Sequence, residues 1–426
     1  PLMSVASEDM TFVEWQKIAK AVADALKKNR GVVITHGTDT MHYTSAALSF
    51  MLNGLNAPVV MTGSQRSSDR GSSDAFMNLI CSAHLASKSD IAEVVICMHE
   101  SSSDTYCSAI RGTKARKMHT SRRDAFKPIN NKPIARISRE GSIEYTSNYR
   151  KVESEKKELK LLIGYEPKVA LVKAYPNSDP LIIDYYLSKG YKGIIIEGTG
   201  LGHTPVSTQN PDYSWLKRVE NAVDSGMIIG ITSQCLYGRV NPNVYRNLRL
   251  LSNAGAIYCE DMLPEVAYVK LGFLLGNYKK EEAEKLLNVN LAGEINEGKK
   301  TGMKVERMQR AVVGETGELD KATGFESMKG RRFIYNVYDI SSCLVELDEE
   351  PPHKINEEAL NISYLIAATF NCNIPDEIEV MRKEVVDGSD PSAFQRTMLI
   401  GYGGSLDING RKINIPSIFL EEESSG

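Results

Sequence analysis

The sequence predicts an α/β protein built on parallel sheets, followed by an α+β segment. Apolar β-branched runs alternate with helical stretches of about 12–15 residues from residue 31 to residue 288, the pattern of βαβ units. Charge then changes: from Arg331 to Gly426 there are 8 Lys/Arg against 17 Asp/Glu, whereas the preceding 330 residues hold 43 against 37. A polar, Gly-rich stretch, Gly293–Gly302, lies shortly before this shift and reads as a linker. At 426 residues the chain exceeds a single core.

In chain order, Thr11-x-x-Glu14 forms a capping box ahead of a helix with apolar residues at Phe12, Trp15, Ile18, Ala19, Val22 and Leu26. Strand 31–36, helix 39–52, strand 58–62, the polar loop 63–73, helix 74–87, strand 92–98 and strand 105–110 follow. Residues 111–123 are densely basic, and Pro128, Asn130, Asn131 and Pro133 mark a loop. The charged stretch 149–160 connects to a second α/β unit with strands 169–173, 193–197 and 227–232 and helices near 180–189, 211–225, 243–253, 262–275 and 279–288. The tail reads as strands 333–339, 343–347, 377–383, 394–401 and 412–420 with one helix, 356–370, and a hairpin dipeptide Asn409-Gly410. The resulting domains are 1–160, 165–292, a linker 293–304, and 305–426.

Composition narrows the function. Hydrophobic content of 42% and charged content of 25% are those of an ordinary globular protein. No apolar run approaches the roughly 18 residues of a membrane span, and Pro1-Leu2-Met3-Ser4 does not read as a secretory signal. Seven scattered cysteines, without CxxC or zinc spacing, point to a reduced cytoplasm and to neither disulfides nor a metal cluster.

Candidate chemistry centres on the corner Thr35-His36-Gly37-Thr38-Asp39-Thr40, where a buried strand turns into a helix. Ligands meet parallel α/β sheets at such corners. Thr38 and Asp39 suit either an ordinary helix cap or a hydroxyl–carboxylate pair that orients a nucleophile. Lys117 is either a solvated member of the basic run or a base desolvated in a closed site. Ser7 and Glu8 fit a cap or a clamp on the ammonium and carboxylate of an amino acid. The basic run fits RNA phosphates, a surface loop or the lining of a site. Gly198-Thr199-Gly200-Leu201-Gly202 misses the dinucleotide fingerprint, with its third Gly one place early and Pro205 where the helix should open, so it reads as a turn. Glu421 and Glu422 read as a frayed acidic end or as hard-oxygen ligands for Mg²⁺.

These segments resemble the L-asparaginase family. THGTDTM at 35–41, Ser7-x-Asp9-Met10 and RKMHTSRRDAF at 116–126 follow the family's motifs in order. Met41-His42-Tyr43, GTGLGHTP at 198–205 and CEDMLPEVAYVK at 259–270 are similar to one branch, the asparaginase-like D-type subunit of archaeal glutamyl-tRNA(Gln) amidotransferase. That resemblance covers roughly residues 1–296. It implies a two-domain parallel-sheet fold and a glutaminase without cofactor. Thr38, Asp39 and Lys117 then form the relay, and Ser7 and Glu8 hold the glutamine. It also implies a homodimer, the E-type subunit of the same enzyme as partner, and tRNA(Gln) reached through the complex. A free L-asparaginase and an inactive scaffold are the alternatives.

The family's primary nucleophile lies in a Gly-Gly-Thr-Ile segment that the 426 residues do not contain. The expectation is therefore an N-terminally truncated member, inactive or very weak as it stands. Residues 305–426 resemble the E-type subunit, the relative of the bacterial B-type one. The matching segments are AVVGETGELDKATGFESMKG at 311–330, CLVELDEEPP at 343–352, Phe394-Gln395-Arg396-Thr397 and Phe419-Leu420-Glu421-Glu422. This half implies ATP and Mg²⁺, with Glu421 or Glu422 as a metal ligand. The join near 293–310 is expected to reflect assembly across neighbouring genes rather than a fusion with internal loss.

Overall fold

The computed structural model describes residues 1–154 and 158–296, and beyond them the backbone of seven strands. The chain divides into two compact units, residues 1–297 and 298–426.

The first unit opens with a 3-10 turn at Ser7–Asp9 and helix α1 (Phe12–Leu26). Thr11 accepts from the Val13 N–H at 3.3 Å, and Glu14 accepts from the Thr11 N–H at 3.0 Å, completing the capping box. Strand β1 (Val32–Thr35), helix α2 (Met41–Met51), the short strand β2 (Leu52–Asn53), strand β3 (Val59–Thr62), helix α3 (Ala75–Lys88) and strand β4 (Val94–His99) follow. The chain then turns antiparallel through β5 (Tyr106–Arg111), β6 (Ala115–Lys117), β7 (Phe126–Pro128), β8 (Ala135–Ser138) and β9 (Ile143–Tyr145). One sheet runs in the order β1-β3-β4-β5-β8-β9, parallel over its first three strands and antiparallel over the rest. β6 and β7 form a separate hairpin, with Lys117 opposite Phe126.

β10 (Lys160–Leu161) pairs with β2 and leads into the second sheet. There β11 (Val169–Lys173), helix α4 (Leu181–Ser188), β12 (Gly193–Gly198), helix α5 (Leu216–Asp224), β13 (Ile228–Ser233), helix α6 (Arg246–Asn253) and β14 (Ile257–Tyr258) alternate. The four strands are all parallel, in sequence order. Helices α7 (Pro264–Asn277) and α8 (Lys280–Leu286) close the unit. α7 is buried almost all round, and its Phe273 ring stacks on Phe50 of α2 at 5.7 Å. One apolar cluster joins α2, α7, Val59 and Met61 of the first sheet, and Ile195 and Ile228 of the second.

In the second unit, β15 (Gln309–Val313), β16 (Phe333–Val337), β17 (Ala368–Thr369), β18 (Thr397–Ile400) and β21 (Ile418–Glu422) form an antiparallel sheet. Between β18 and β21 in the chain, β19 (Gly404–Ile408) and β20 (Arg411–Ile415) pair with Ile408 opposite Arg411, and Asn409-Gly410 falls between them in the sequence.

The structure corrects the sequence reading in three places. The short strands β6 and β7, across the segment read as a basic run and the start of a loop, escape it because both faces of β6 carry polar residues; β8 and β9 lie beyond that loop, in a stretch the reading leaves unassigned although β8 alternates buried and half-buried residues. Residues 293–296 do not link. Glu294 is fully buried against Lys270 at 2.6 Å, and Ile295 is buried with the core. Ala368 and Thr369, read as the end of a helix, pair with β18 instead. The rest of that helix and strands 343–347 and 377–383 fall outside the described residues.

Candidate active site

The carboxyl end of β1 delivers His36, and Gly37 then lets the chain pass close to the 3-10 turn. A Cβ on Gly37 would lie 2.8 Å from the Ser7 Cβ. Thr40 fixes the same contact, its Oγ1 donating to the Ser7 carbonyl at 2.6 Å. Helix α2 begins only at Met41, and its N-cap residue, Thr40, makes no capping bond with its side chain. Thr38 and Asp39 therefore do not cap the helix. Gly63, at the end of β3, is equally tight: a Cβ there would meet the His36 carbonyl at 2.4 Å and the Thr38 methyl at 3.2 Å.

The β6/β7 hairpin carries Lys117 to this corner. Its ammonium donates to Thr38 Oγ1 at 3.0 Å and to Asp39 Oδ1 at 2.5 Å. The lysine side chain is 11% exposed and the aspartate 63%. The three residues are thus brought together from positions 78 and 79 apart in the chain. Such a cation can steady a developing threonine oxyanion while the carboxylate orients it.

Ser7 and Glu8 flank the same corner. Ser7 is buried and Glu8 exposed, and the serine hydroxyl donates to the glutamate at 3.5 Å. A cavity of about 390 Å³ opens at the ends of β1 and β3, lined by His36, Gly37, Thr62, Gly63 and Ser64. The loop over it is fastened from beneath: buried Asp74 accepts from the Gln65 and Arg66 N–H groups at 3.0 Å, and Asn78 Nδ2 donates to the Gly63 carbonyl at 2.9 Å. A larger cavity of about 780 Å³, lined by Glu93, Arg111 and Asn148 among others, contains none of Thr38, Asp39 and Lys117.

Two histidines sit close by and are uncharged at neutral pH. Burial lowers His36, whose Nδ1–H donates to the Gly37 carbonyl at 2.6 Å, leaving Nε2 to accept from Thr44 Oγ1 at 3.0 Å. Burial, with Arg116 and Lys117 nearby, brings His42 down to about 4, and its Nδ1 has no hydrogen-bond partner among the described residues. Residue types alone did not mark His42, which sits among apolar neighbours; its ring packs 4.7 Å from Tyr43 and 6.4 Å from Phe126.

Among the described residues, no group of three or more His, Cys, Asp or Glu is arranged to hold a metal ion. Glu421 and Glu422 are placed as the end of β21, opposite Ile334 and Phe333. Gly198–Gly202 forms a tight turn in which the Thr199 N–H donates to the His203 carbonyl at 2.8 Å. No described helix is long and apolar enough to cross a membrane.

Two family models cover the first unit: asparaginase, N-terminal, over residues 1–151, and glutaminase/asparaginase C-terminal domain over residues 168–287. The D subunit of the glutamyl-tRNA(Gln) amidotransferase of Pyrococcus abyssi is 56% identical over 297 residues, covering 69% of this chain and 66% of that protein. Its counterpart in Archaeoglobus fulgidus is 51% identical over 296 residues, 69% of this chain and 68% of the relative. The chain belongs to the D-subunit family of glutamyl-tRNA(Gln) amidotransferases. It spans about 66% of the length of the curated family members it matches. The thermostable L-asparaginase from Thermococcus kodakarensis superposes with a TM-score of 0.63 at 29% identity, over 70% of this chain and 85% of that one. Beyond this part, a GatB/GatE catalytic domain model matches residues 303–426, in line with the resemblance of the tail to the E-type subunit.

Proposed function

We propose that the first unit is the glutaminase of a tRNA-dependent amidotransferase, releasing ammonia for the conversion of glutamate on tRNA(Gln) to glutamine. The observation that supports this reading most is the Lys117 ammonium held between Thr38 Oγ1 and Asp39 Oδ1. Thr38 supplies the hydroxyl; Lys117, as the neutral amine, takes its proton, becomes the ammonium that bonds Thr38 and Asp39, and later returns the proton, while Asp39 orients the lysine. Ser7 and Glu8, against Gly37, hold the α-carboxylate and α-ammonium of the glutamine.

The first attack on the amide belongs, in this reading, to a threonine in a Gly-Gly-Thr-Ile segment that is not among the 426 residues. β1 is an edge strand, and an apolar groove of about 390 Å³ runs along it to His36 and Gly37, a place for such a segment to pair. The partner is an E-type subunit, the first unit pairs as a homodimer, and tRNA(Gln) is met in the complex. In the tail, the carboxylates of Glu421 and Glu422 are donors of the kind Mg²⁺ takes, and with ATP that ion would supply charge neutralisation for phosphoryl transfer.

The test measures ammonia release from glutamine and from asparagine, with this chain and with a form extended upstream to include Gly-Gly-Thr-Ile. Release from glutamine by the extended form alone supports the reading. Release by neither form leaves a scaffold, and a preference for asparagine leaves a free asparaginase. Release by the 426-residue chain itself removes the need for a second threonine.

A further inference from the structure

The segment Cys259–Lys270 contributes nothing to the Thr38 corner directly, yet three of its charged residues are buried and each pairs with an opposite charge from elsewhere in the chain. Lys114 Nζ donates to Asp261 Oδ2 at 2.7 Å across 147 residues, with both side chains almost completely buried. Arg116 Nη1 donates to Glu265 Oε2 at 3.3 Å across 149 residues. Lys270 pairs with Glu294 at 2.6 Å. Asp261 and Glu265 are four apart, at the entry to α7, and Lys114 and Arg116 are two apart, at the entry to and within β6.

Adjacent on β6, Arg116 and Lys117 face opposite sides of the strand, and Lys114, in the turn that enters it, pairs with the same Asp261–Glu265 segment as Arg116. We propose that Asp261 and Glu265 are positioning residues for Lys117: they grip β6 from behind so that its opposite face presents the ammonium to Thr38 and Asp39. The remaining contacts of the hairpin base fit that role. The Lys114 carbonyl accepts from the Ile129 N–H at 2.8 Å, so fixing Lys114 fixes the pairing of both arms. The Thr113 hydroxyl donates to the Ala292 carbonyl at 3.1 Å, Asp261 Oδ1 accepts from the Asn296 N–H at 2.9 Å, and Asn296 Nδ2 donates to the Asn130 carbonyl. Segment 292–296 therefore ties the start of one arm to the end of the other, with Asp261 between them.

Glu265 has a second feature that a simple surface ion pair lacks. Its Oε1 is buried without a hydrogen-bond partner among the described residues, and burial raises its carboxyl above the usual range against the pull of Arg116. Its pairing with Arg116 at 3.3 Å offsets part of the cost of that burial.

The test reads Lys117 itself in the full chain. Competitive acetylation with sulfosuccinimidyl acetate, followed by peptide mass spectrometry, compares Lys117 with the exposed Lys27 and Lys217. The variants are Glu265→Leu, which frees Arg116 to turn its already 34% exposed side chain to solvent, and the paired Lys114→Met with Asp261→Leu, which leaves no orphaned charge. Each is expected to raise the relative acetylation rate of Lys117 at least threefold while circular dichroism shows a folded protein. An unchanged rate in a folded variant overturns the proposal and leaves these pairs a stabilising role only. Should the paired variant fail to fold, Glu265→Leu decides.

The kinetic arm rests on the glutaminase reading: kcat falls at least tenfold with KM within twofold, since small misplacement of a relay group acts on the transition state. A raised KM with unchanged kcat counts against positioning. If the unsubstituted protein and its extended form release no ammonia, the glutaminase reading fails, and acetylation still decides the role of Asp261 and Glu265.

Discussion

Replacing Lys117 by methionine separates chemistry from stability. The side chain keeps its length and apolar stem but loses the two bonds to Thr38 and Asp39, at 3.0 and 2.5 Å. Asp39 is 63% exposed, so its carboxylate regains water when the ammonium goes. The stability lost is then that of a solvent-screened pair, about 0–1 kcal/mol. In a unit of this size that is a fall in Tm of at most about 4 °C. Catalysis is affected differently. Under the proposed relay, in which Lys117 moves the Thr38 proton, the rate loses the share a positioned acid–base residue supplies, about 10²–10⁴-fold, or roughly 3–5 kcal/mol of barrier. The loss of activity thus exceeds the loss of stability by at least about 2 kcal/mol. The assay is glutamine-dependent ammonia release from the extended form, coupled to glutamate dehydrogenase, with a thermal melt on the same sample. A kcat within threefold of the parent, in a folded variant, would refute the assignment of Lys117 to the relay.

Two further outcomes concern the fold. His42 drops from 6.5 to about 4 on burial, so the native state binds fewer protons than the unfolded chain between those values. The stability it contributes is present above about pH 6.5 and disappears as pH falls through about 4, a change of roughly 3 kcal/mol. Urea melts at pH 7 and pH 4 should show His42→Leu losing less stability on acidification than the parent, and equal losses would contradict the shift. Lys270→Met strands the buried Glu294 carboxylate, which still accepts from the Leu291 and Ala292 N–H groups, and should cost about 3–5 kcal/mol. Adding Glu294→Gln is expected to restore part of the lost Tm, because the buried charge is gone and the amide oxygen keeps one of the two N–H bonds, although the other N–H then faces the amide nitrogen; no recovery would argue that the charge is not the source of the loss.

The alternating part of the fold is legible in the sequence because each parallel strand is buried on both faces. Val59–Thr62, Val94–His99 and Ile228–Ser233 are almost wholly buried, and they read as short continuous apolar runs between turn residues. The β6/β7 hairpin is not legible for the opposite reason. Arg116 and Lys117 each find a carboxylate, on opposite faces, and a strand with polar residues on both sides has no alternation to detect. At the corner, Thr38 and Asp39 stand out through residue type and position, but the buried charges of the Cys259–Lys270 segment do not. Asp261, Glu265 and Lys270 look like the solvated stripe of a helix until their partners, about 150 positions earlier or just beyond the next helix, take up the charge. Local spacing carries no record of such pairings.

The burial of Glu294 also decides where the first unit can be severed. A protease site or stop codon placed at residue 292, past the last of the apolar helices, would remove the counter-charge of Lys270 and the Asn296 bonds to Asp261 and Asn130 in one cut. The fragment would keep two ammonium groups, Lys114 and Lys270, sealed in its interior, one of them uncompensated. A cut after Asn296 leaves both neutralised. Four residues that look like spacer thus separate a fragment whose buried ammonium groups keep their carboxylates from one that leaves Lys270 without its partner.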